Sequence, residues 1–506
     1  MDKISRIQDG VKMKRFSFLL LSGLMAAFDS GMAASGQPDT VRKCAVPNGK
    51  VLSAVYTDAS EFTDANRNTI TGIPPRTIVK LLLQPAKGSN INVEVWLPDA
   101  GRWNGRFVGL GNGGAAGSIN PAGFIGWIKR GYAVAATDMG TAPNDNSGVG
   151  NPEVWKDFGY RATHLMTTAA RQLIQSCYGK PPAFSYFVGA STGGQQALQE
   201  AQRYPDDYDG IVANVPAHCR TPLHAYFLWN WQLVRRHPLT PEQDRSIMRS
   251  GIEYMAQREI SQLAGKAVSD PRVTPEEIEG VIALAMKNDP SLTPEHAGML
   301  RKIFNGPVNS AGERIFNGVP VGSSILAATG HLYLFRWAFG LEQELAELNF
   351  DADMDAYTKK LGPVLNAENP DLSAFARRGG RLVMFSGTAD SIVPYHATLD
   401  YYERCAAEAG SPEKLQEFFV YYLVPGMEHG INGVTDPFSL LVNWCEKGVR
   451  PGEIRLKRQY GEETVDIPLY PYPQKTGYTP ERGFFPEPAL RGAAPVAPRY
   501  RPEAAE

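Results

Sequence analysis

The sequence predicts an α/β fold, a mainly parallel sheet with helices on both faces, carrying a large inserted lid domain. Three observations predict it. Short apolar runs alternate with segments of helical period between residues 93 and 216. The alternation stops over residues 218–379 and then resumes. One junction between an apolar run and a helical segment holds a serine among glycines, "GASTGG" at 189–194. Alternation of this kind favours parallel strands, because a parallel connection needs a crossover about as long as a helix.

The elements follow in order. "VEVWLP" (93–98) and "RFVGLG" (106–111) read as strands flanking a turn, and "YAVAATDMG" (132–140) as a third, bounded by glycines. "YRATHLMTTAARQLIQSCYG" (160–179) has helical periodicity, with Leu165, Ala169, Leu173 and Cys177 on one stripe. Cys177 on that stripe reads as a buried thiol. "AFSYFVGAS" (183–191) is a strand that runs straight into the glycines. "GGQQALQEAQRYP" (193–205) is helical and stops at Pro205, and "YDGIVANVP" (208–216) is again a strand. Residues 218–379 are mostly helical pattern with loops, such as "LTPEHAGMLRKIF" (292–304) with Thr293 placed as its cap. A stretch this long is too large for a structureless loop, so it reads as the lid. "RLVMFSGTAD" (381–390) and "EFFVYYLVPGMEHG" (417–430) resume the sheet.

The ends differ from the middle. From Met13, "MKRFSFLLLSGLMAAF" joins a basic start, Lys14 and Arg15, to an apolar run, and "SGMAAS" supplies small residues for cleavage near Ala33 or Ala34. The run, about 13 residues, is too short to span a bilayer comfortably. The expected organisation is therefore residues 1–34 as a signal peptide, with Met13 as an alternative start. Residues 35–217 are the first part of the catalytic domain, 218–379 the lid and 380–450 the second part. Residues 451–506 form a Pro/Tyr-rich segment whose final part is extended or disordered. Such a protein is secreted or periplasmic, with no membrane span once the signal is removed. Its formal net charge of −2, without a long run of one sign, argues against nucleic acid as a partner. Five cysteines (Cys44, Cys177, Cys219, Cys405, Cys445) lack metal-ligand spacing, and an odd count leaves at least one unpaired. Oligomeric state is left open.

Gly189, Ser191 and Gly193 have the G-x-S-x-G spacing of a nucleophile elbow. With 50 glycines in 506 residues the spacing alone is weak, since chance supplies it about 0.3 times. Its place after a strand and before a helix is what the elbow needs. A serine nucleophile requires a base and the base an orienting acid, in this fold in the order Ser, Asp or Glu, His. Asp390 and His429 close the two strands after the lid, at the same sheet edge as Ser191. Asp138 is the runner-up acid, but it precedes Ser191. Of the other histidines, His164, His218, His296 and His396 read as structural, and His224 as either structural or pocket-lining. Oxyanion donors are expected from the backbone of Thr192 and from Gly113 or Gly114 in the glycine-rich loop "GLGNGGAAG" (109–117). No G-K-[ST] follows that loop, so it does not read as a phosphate loop.

Taken together, the chain resembles the tannase and feruloyl esterase family of α/β-hydrolases, which includes the hydrolase of mono(2-hydroxyethyl) terephthalate. The matching pieces are "GASTGGQQALQEAQRYPDDYDGIVANVPA" (189–217), "LTPEHAGMLRKIFNGP…GERIFNG" (292–318), "NAENPDLSAFARRGGRLVMFSGTADSIVPY" (366–395), "VPGMEHG" (424–430) and "PLYPYP" (468–473). The resemblance implies an α/β-hydrolase fold, Ser191, Asp390 and His429 as the triad, and a substrate-binding lid. It implies a small-molecule aromatic ester as substrate, cleaved through an acyl-enzyme without a cofactor.

The chain departs from the family pattern in places. Ala190 and Gly430 stand where the family usually has a bridging cysteine pair, and Tyr470 replaces a third cysteine. The acidic calcium loop of many lids is not found. "FDADMDAY" (350–357) offers Asp351, Asp353 and Asp355 but lacks the glycine and glutamate of an EF-hand loop, so calcium is not expected and no metal site is assigned. "HAYFLWNWQ" (224–232) and "HLYLFRWAFG" (331–340) load the lid with aromatic side chains. His224, Trp229, Phe335 and Trp337 are candidates to stack on a phenolic ring, with Arg336 to meet a carboxylate or phenolate; alternatively the aromatic residues form the core of the lid. Rival readings are a hydrolase of polyester fragments or lactones on the same scaffold, and a non-catalytic binding protein of hydrolase fold.

Overall fold

Nine strands form the central sheet of the computed structural model. The structure describes residues 37–488 except 65, 143–145, 259–271, 431–433, 435, 461, 462 and 480. The expected signal over residues 1–34 and the last residues, 489–506, lie outside the described residues. The strands are β1 (Gly49–Thr57), β2 (Arg76–Leu83), β3 (Ile91–Pro98), β4 (Arg106–Leu110), β5 (Ala133–Thr137), β6 (Phe184–Ala190), β7 (Gly210–Asn214), β8 (Arg381–Gly387) and β9 (Phe419–Val424). Their order is β1-β2-β3-β5-β4-β6-β7-β8-β9. From β5 to β9 every neighbouring pair is parallel. The pairs joining β1, β2, β3 and β5 are antiparallel.

The parallel strands read as unbroken apolar runs because both of their faces are covered. Every residue of β5 and β7 is buried. Helices α2 (Ala162–Tyr178), α3 (Thr192–Arg203) and α10 (Tyr395–Ala409) supply Leu173, Leu198 and Tyr401 to the core on one face. Helices α1 (Ala122–Lys129) and α11 (Pro437–Lys447) supply Ile125 and Leu441 to the core on the other. β1 and β2 extend the sheet beyond the first strand legible in the sequence. β1 is mostly exposed, with Leu52 and Val55 open to solvent, so no buried stripe marks it.

Strands β7 and β8 are direct neighbours, yet α4 (Arg220–Arg236), α5 (Pro241–Arg258), α6 (Pro275–Asn288), α7 (Pro294–Asn305), α8 (Tyr333–Phe339) and α9 (Ala352–Leu365) lie between them in sequence. Much of this insertion packs on its own core, which includes Tyr226, Val281, Leu300, Ile303 and Phe316. Thr293 caps α7: its hydroxyl accepts from His296 N, and His296 Nδ1 accepts from Thr293 N at 3.0 Å.

The Pro/Tyr-rich C-terminal segment is more ordered than its composition suggests. Residues 454–488 form two hairpins, β10 (Ile454–Tyr460) with β11 (Glu463–Leu469) and β12 (Gln474–Thr479) with β13 (Gly483–Pro488). Ile454, Leu456, Ile467 and Leu469 alternate inward and cover the second face of the sheet.

Glu368, buried where the insertion returns to the sheet, gives the fold a pH signature. Burial pushes its carboxyl up to about 7 from 4.5, although Arg404 Nη2 lies 3.6 Å away and pulls it down. A carboxyl whose pKa is raised on folding stabilises the native state fully below its unfolded pKa and loses that contribution as pH rises to the folded value. Stability should therefore fall by about 3 kcal/mol from this group between about pH 4.5 and 7. Urea unfolding of Glu368→Gln at both pH values should show a correspondingly flatter profile. An unchanged slope would assign the dependence to other groups.

Candidate active site

Ser191 sits between β6 and α3 with φ 60° and ψ −116°, a backbone that few L-residues adopt. Surrounding hydrogen bonds hold it there. Ser191 N donates to Asn214 O at 3.0 Å, and Ser191 O accepts from Ala217 N at 3.0 Å and Gln195 N at 3.1 Å. Gly189 lets the helix approach the strand: a Cβ there would stand 2.1 Å from Gly193 O. The chain thus turns sharply and leaves the Ser191 side chain at the carboxyl edge of the sheet, partly exposed.

Asp390 follows β8 and His429 follows β9. The structure brings them together, with His429 Nδ1 and Asp390 Oδ2 2.8 Å apart. Asp390 is fully buried, and its Oδ1 accepts from Ile392 N at 2.9 Å and Val393 N at 2.8 Å. Those bonds fix the carboxylate, so Nδ1–H of His429 is the donor to it and Nε2 is left to act as a base. The two loops are also tied directly. Ala389 N donates to Met427 O at 3.1 Å, and Gly426 N to Thr388 Oγ1 at 2.6 Å. Gly387 permits this approach, because a Cβ there would lie 1.9 Å from Met427 O. Among the described hydrogen bonds none joins Ser191 Oγ to His429. Contacts of this type commonly tighten only when substrate binds.

A cleft of about 430 Å³ opens beside this edge, lined by Gly113 to Ala116, Ser118, His331, Leu332 and Tyr333. Thr192, buried at the start of α3, has no intrahelical acceptor for its N–H. Its hydroxyl donates to Gly114 O at 2.5 Å, and Gly193 N donates to Asn112 O at 2.6 Å. The glycine-rich loop is thereby pinned beside the elbow, and both expected sources of oxyanion donors stand at one place.

The aromatic candidates of the insertion fall elsewhere. Phe335 is fully buried and stacks on Tyr357 at 4.5 Å, while Trp337 packs edge-on against Phe158 at 5.3 Å. Helix α8 turns Leu334, Phe335, Trp337 and Ala338 into the core and leaves Arg336 exposed. Trp229 donates from Nε1 to Lys302 O at 3.2 Å and meets Phe350 edge-on, within the insertion. His224 is buried behind the cleft wall, its ring 5.6 Å from that of Tyr333, and neither ring nitrogen has a hydrogen-bond partner among the described residues. Burial, then the Arg220 charge, holds His224 neutral, far below its usual pKa. None of these five residues lines the cleft. Asp138, the alternative acid, is engaged by Asn92 N, Asn92 Nδ2 and Gly140 N rather than by a histidine.

From the insertion His331, Leu332 and Tyr333 line the cleft, and Arg220, like His224, lies behind Tyr333. His331 has φ 61°. Partial burial, then the charges of Arg220 and His429, pushes its pKa down. Arg220 carried one legible signal: a cation in the first turn of a helix is unfavourable there, so its place needs another reason. Among the described residues, His164, Glu200 and Asp207 bring ligand-type atoms within 4.8 Å of one another. His164 Nδ1 is already engaged by Asp207 Oδ2 at 2.6 Å, and burial, then the Asp207 charge, pushes the Glu200 carboxyl well above the usual carboxylate range.

The family model described as tannase and feruloyl esterase matches residues 77–337 and 322–484. A probable feruloyl esterase of Arthroderma benhamiae is 27% identical over 491 residues, covering 86% of this chain and 90% of that one. An uncharacterized esterase of Xanthomonas campestris is 27% identical over 501 residues, covering 85% and 86%. Among solved structures, feruloyl esterase B of Aspergillus oryzae superposes with a TM-score of 0.76 at 22% identity, over 89% of this chain and all of that one. Tannin acyl hydrolase of Aspergillus niger does so with 0.73 at 18% identity, over 90% and 95%. No helix among the described residues is long and apolar enough to cross a membrane. With a family match across most of its length and relatives named as esterases, the chain belongs to the tannase and feruloyl esterase family of carboxylic ester hydrolases.

Proposed function

We propose that the protein is a serine esterase that cleaves esters of phenolic acids through an acyl-enzyme. The observation that carries the mechanism is the Asp390–His429 hydrogen bond at the sheet edge that also bears the strained Ser191 turn. Ser191 Oγ attacks the ester carbonyl carbon while its proton passes to His429 Nε2. The carbonyl oxygen becomes an oxyanion, met by the N–H of Thr192 and of Gly113 or Gly114. The C–O bond to the alcohol then breaks, and His429 returns the proton to that alcohol. Water, deprotonated by His429, releases the acid and restores Ser191. Asp390 keeps His429 in the right tautomer and stabilises its charged form.

The phenolic acyl group rests on the relatives, whose names are feruloyl esterase and tannin acyl hydrolase. A panel of methyl ferulate, methyl gallate, mono(2-hydroxyethyl) terephthalate, an aryl lactone and short alkyl acetates tests it. At least one phenolic ester should exceed the acetates by more than tenfold in kcat/KM. Preference for the acetates or the lactone would overturn the substrate class and leave the mechanism standing.

The reading requires no cofactor and no calcium. The acidic residues of 350–357 have local partners: Asp351 Oδ1 accepts from Ser310 N and Oγ, and Asp353 Oδ2 from Asn349 N. Excess chelator should leave activity and melting temperature unchanged. A fall of several degrees, restored by calcium, would reveal a structural ion. Export is part of the same proposal, supported by the basic and apolar pattern from Met13 to Phe28. Amino-terminal sequencing of the mature protein should begin near Ala34.

A further inference from the structure

Arg220 is buried to 4% exposure at the start of α4 and, among the described residues, forms no ion pair with a carboxylate. A buried guanidinium without a counter-charge costs several kcal/mol, so it calls for an explanation. Its bonds run toward the elbow. Nε donates to Gln195 Oε1 at 2.6 Å and Nη2 donates to Thr192 Oγ1. Thr192 passes the link on, donating from Oγ1 to Gly114 O at 2.5 Å. Tyr333, which contacts Arg220, also reaches Gly114 O, at 3.4 Å. The guanidinium lies over the ring of Phe158, 5.4 Å from its centre, so its far side is apolar.

Asn112 is tied to the elbow by Gly193 N and by Gln196 Oε1, but packing does not hold Gly113 and Gly114. A Cβ built on Gly113 or on Gly114 would meet nothing within 4 Å. Hydrogen bonds to Gly114 O add to that anchoring at the glycines themselves, and both donors, Thr192 and Tyr333, contact Arg220. His224 and His331, which feel the cation, offer it no counter-charge in either protonation state; burial, then the Arg220 charge, pushes both toward the neutral form. Behind the elbow there is thus a cation that, among the described residues, has no carboxylate paired with it. Besides the Asp390 carboxylate, which is engaged by His429, a negative charge arises at this edge when the ester carbonyl becomes an oxyanion.

We propose that Arg220 is the positioning residue of the oxyanion hole: it locks Thr192 and the Gly113–Gly114 loop in place, and its uncompensated charge is complementary to the tetrahedral intermediate. This rests on Ser191 being the nucleophile. Interactions that strengthen only in the transition state raise kcat and leave ground-state binding little changed.

The test compares parent, Arg220→Met, Arg220→Lys and Thr192→Val on one phenolic ester, with two inhibitors. An aryl boronic acid accepts Ser191 Oγ at boron while the serine proton passes to His429, giving an anionic tetrahedral adduct. The free aromatic acid reports ground-state binding. Arg220→Met should lower kcat about 100-fold, within the range for loss of one oxyanion donor, with KM within threefold. Its inhibition constant for the boronic acid should rise by a similar factor, and that for the free acid should stay within threefold. Arg220→Lys, which keeps the charge but not the forked geometry, should recover part of both losses. Thr192→Val, which cuts the link while keeping the backbone N–H and the cation, should lose about tenfold in kcat, and this variant decides the matter if Arg220→Met does not fold. Boronic acid constants within threefold of the parent in the folded variants overturn the proposal, whatever happens to KM or melting temperature. Failure of the underlying reading looks different: Ser191→Ala would keep its turnover, and the boronic acid would not inhibit the parent.

Discussion

Purified Ser191→Ala protein is expected to fold like the parent and to lose ester hydrolysis by about 10⁴-fold or more. The hydroxyl is the only atom removed, and the turn is held by backbone bonds from Asn214, Ala217 and Gln195 that alanine keeps. Melting temperature should therefore shift little. His429→Ala should lose a comparable amount. The double variant should lose hardly more than either single one, because nucleophile and base act as a unit. Multiplicative losses would mean that the two side chains serve different steps. Near-parental turnover by Ser191→Ala, measured on enzyme free of parent protein, would end the nucleophile assignment.

Asp390→Asn should be nearly as damaging, about 10⁴-fold in kcat, with the fold intact. Asparagine has the same shape, and its carbonyl oxygen can take the place of Oδ1, accepting from Ile392 N and Val393 N. Its amide NH₂ then faces His429 Nδ1, where the carboxylate now accepts. Nδ1 must become the acceptor, so the ring proton moves to Nε2. A ring protonated at Nε2 cannot take the serine proton. Little change in KM and a folded protein by near-ultraviolet circular dichroism should accompany the loss. A kcat within tenfold of the parent would show that Asp390 does not set the tautomer.

These assignments are legible in the sequence because each depends on local backbone chemistry. Ser191 is marked by the glycines that a sharp strand-to-helix turn requires within two residues of it. Asp390 and His429 are marked by ending apolar runs, and a parallel sheet places all such ends on one edge. The hairpins of 454–488 were missed because proline and tyrosine content masked a period-two apolar pattern. β1 was missed because an exposed edge strand has no buried stripe to display. The aromatic side chains of the insertion show the limit most clearly. Composition left Phe335, Trp337 and Trp229 either against a ligand or in the core of the lid, because the phase of a short helix depends on what it packs against; α8 turns Phe335 and Trp337 into the core.

The sequence by itself determined the sheet, the insertion, the turn at Ser191 and the order of the acid and the base after it. Local propensity and strand ends are properties of short stretches, and a parallel sheet converts them directly into position. Only the tertiary structure decided which side chains face the cleft. It placed Arg220 against Thr192 and Gln195, and Tyr333 against Gly114, through bonds between residues far apart in the chain. Such contacts leave no periodic trace, because they depend on how the insertion docks on the sheet edge, and that is settled by packing between distant surfaces rather than by any one segment.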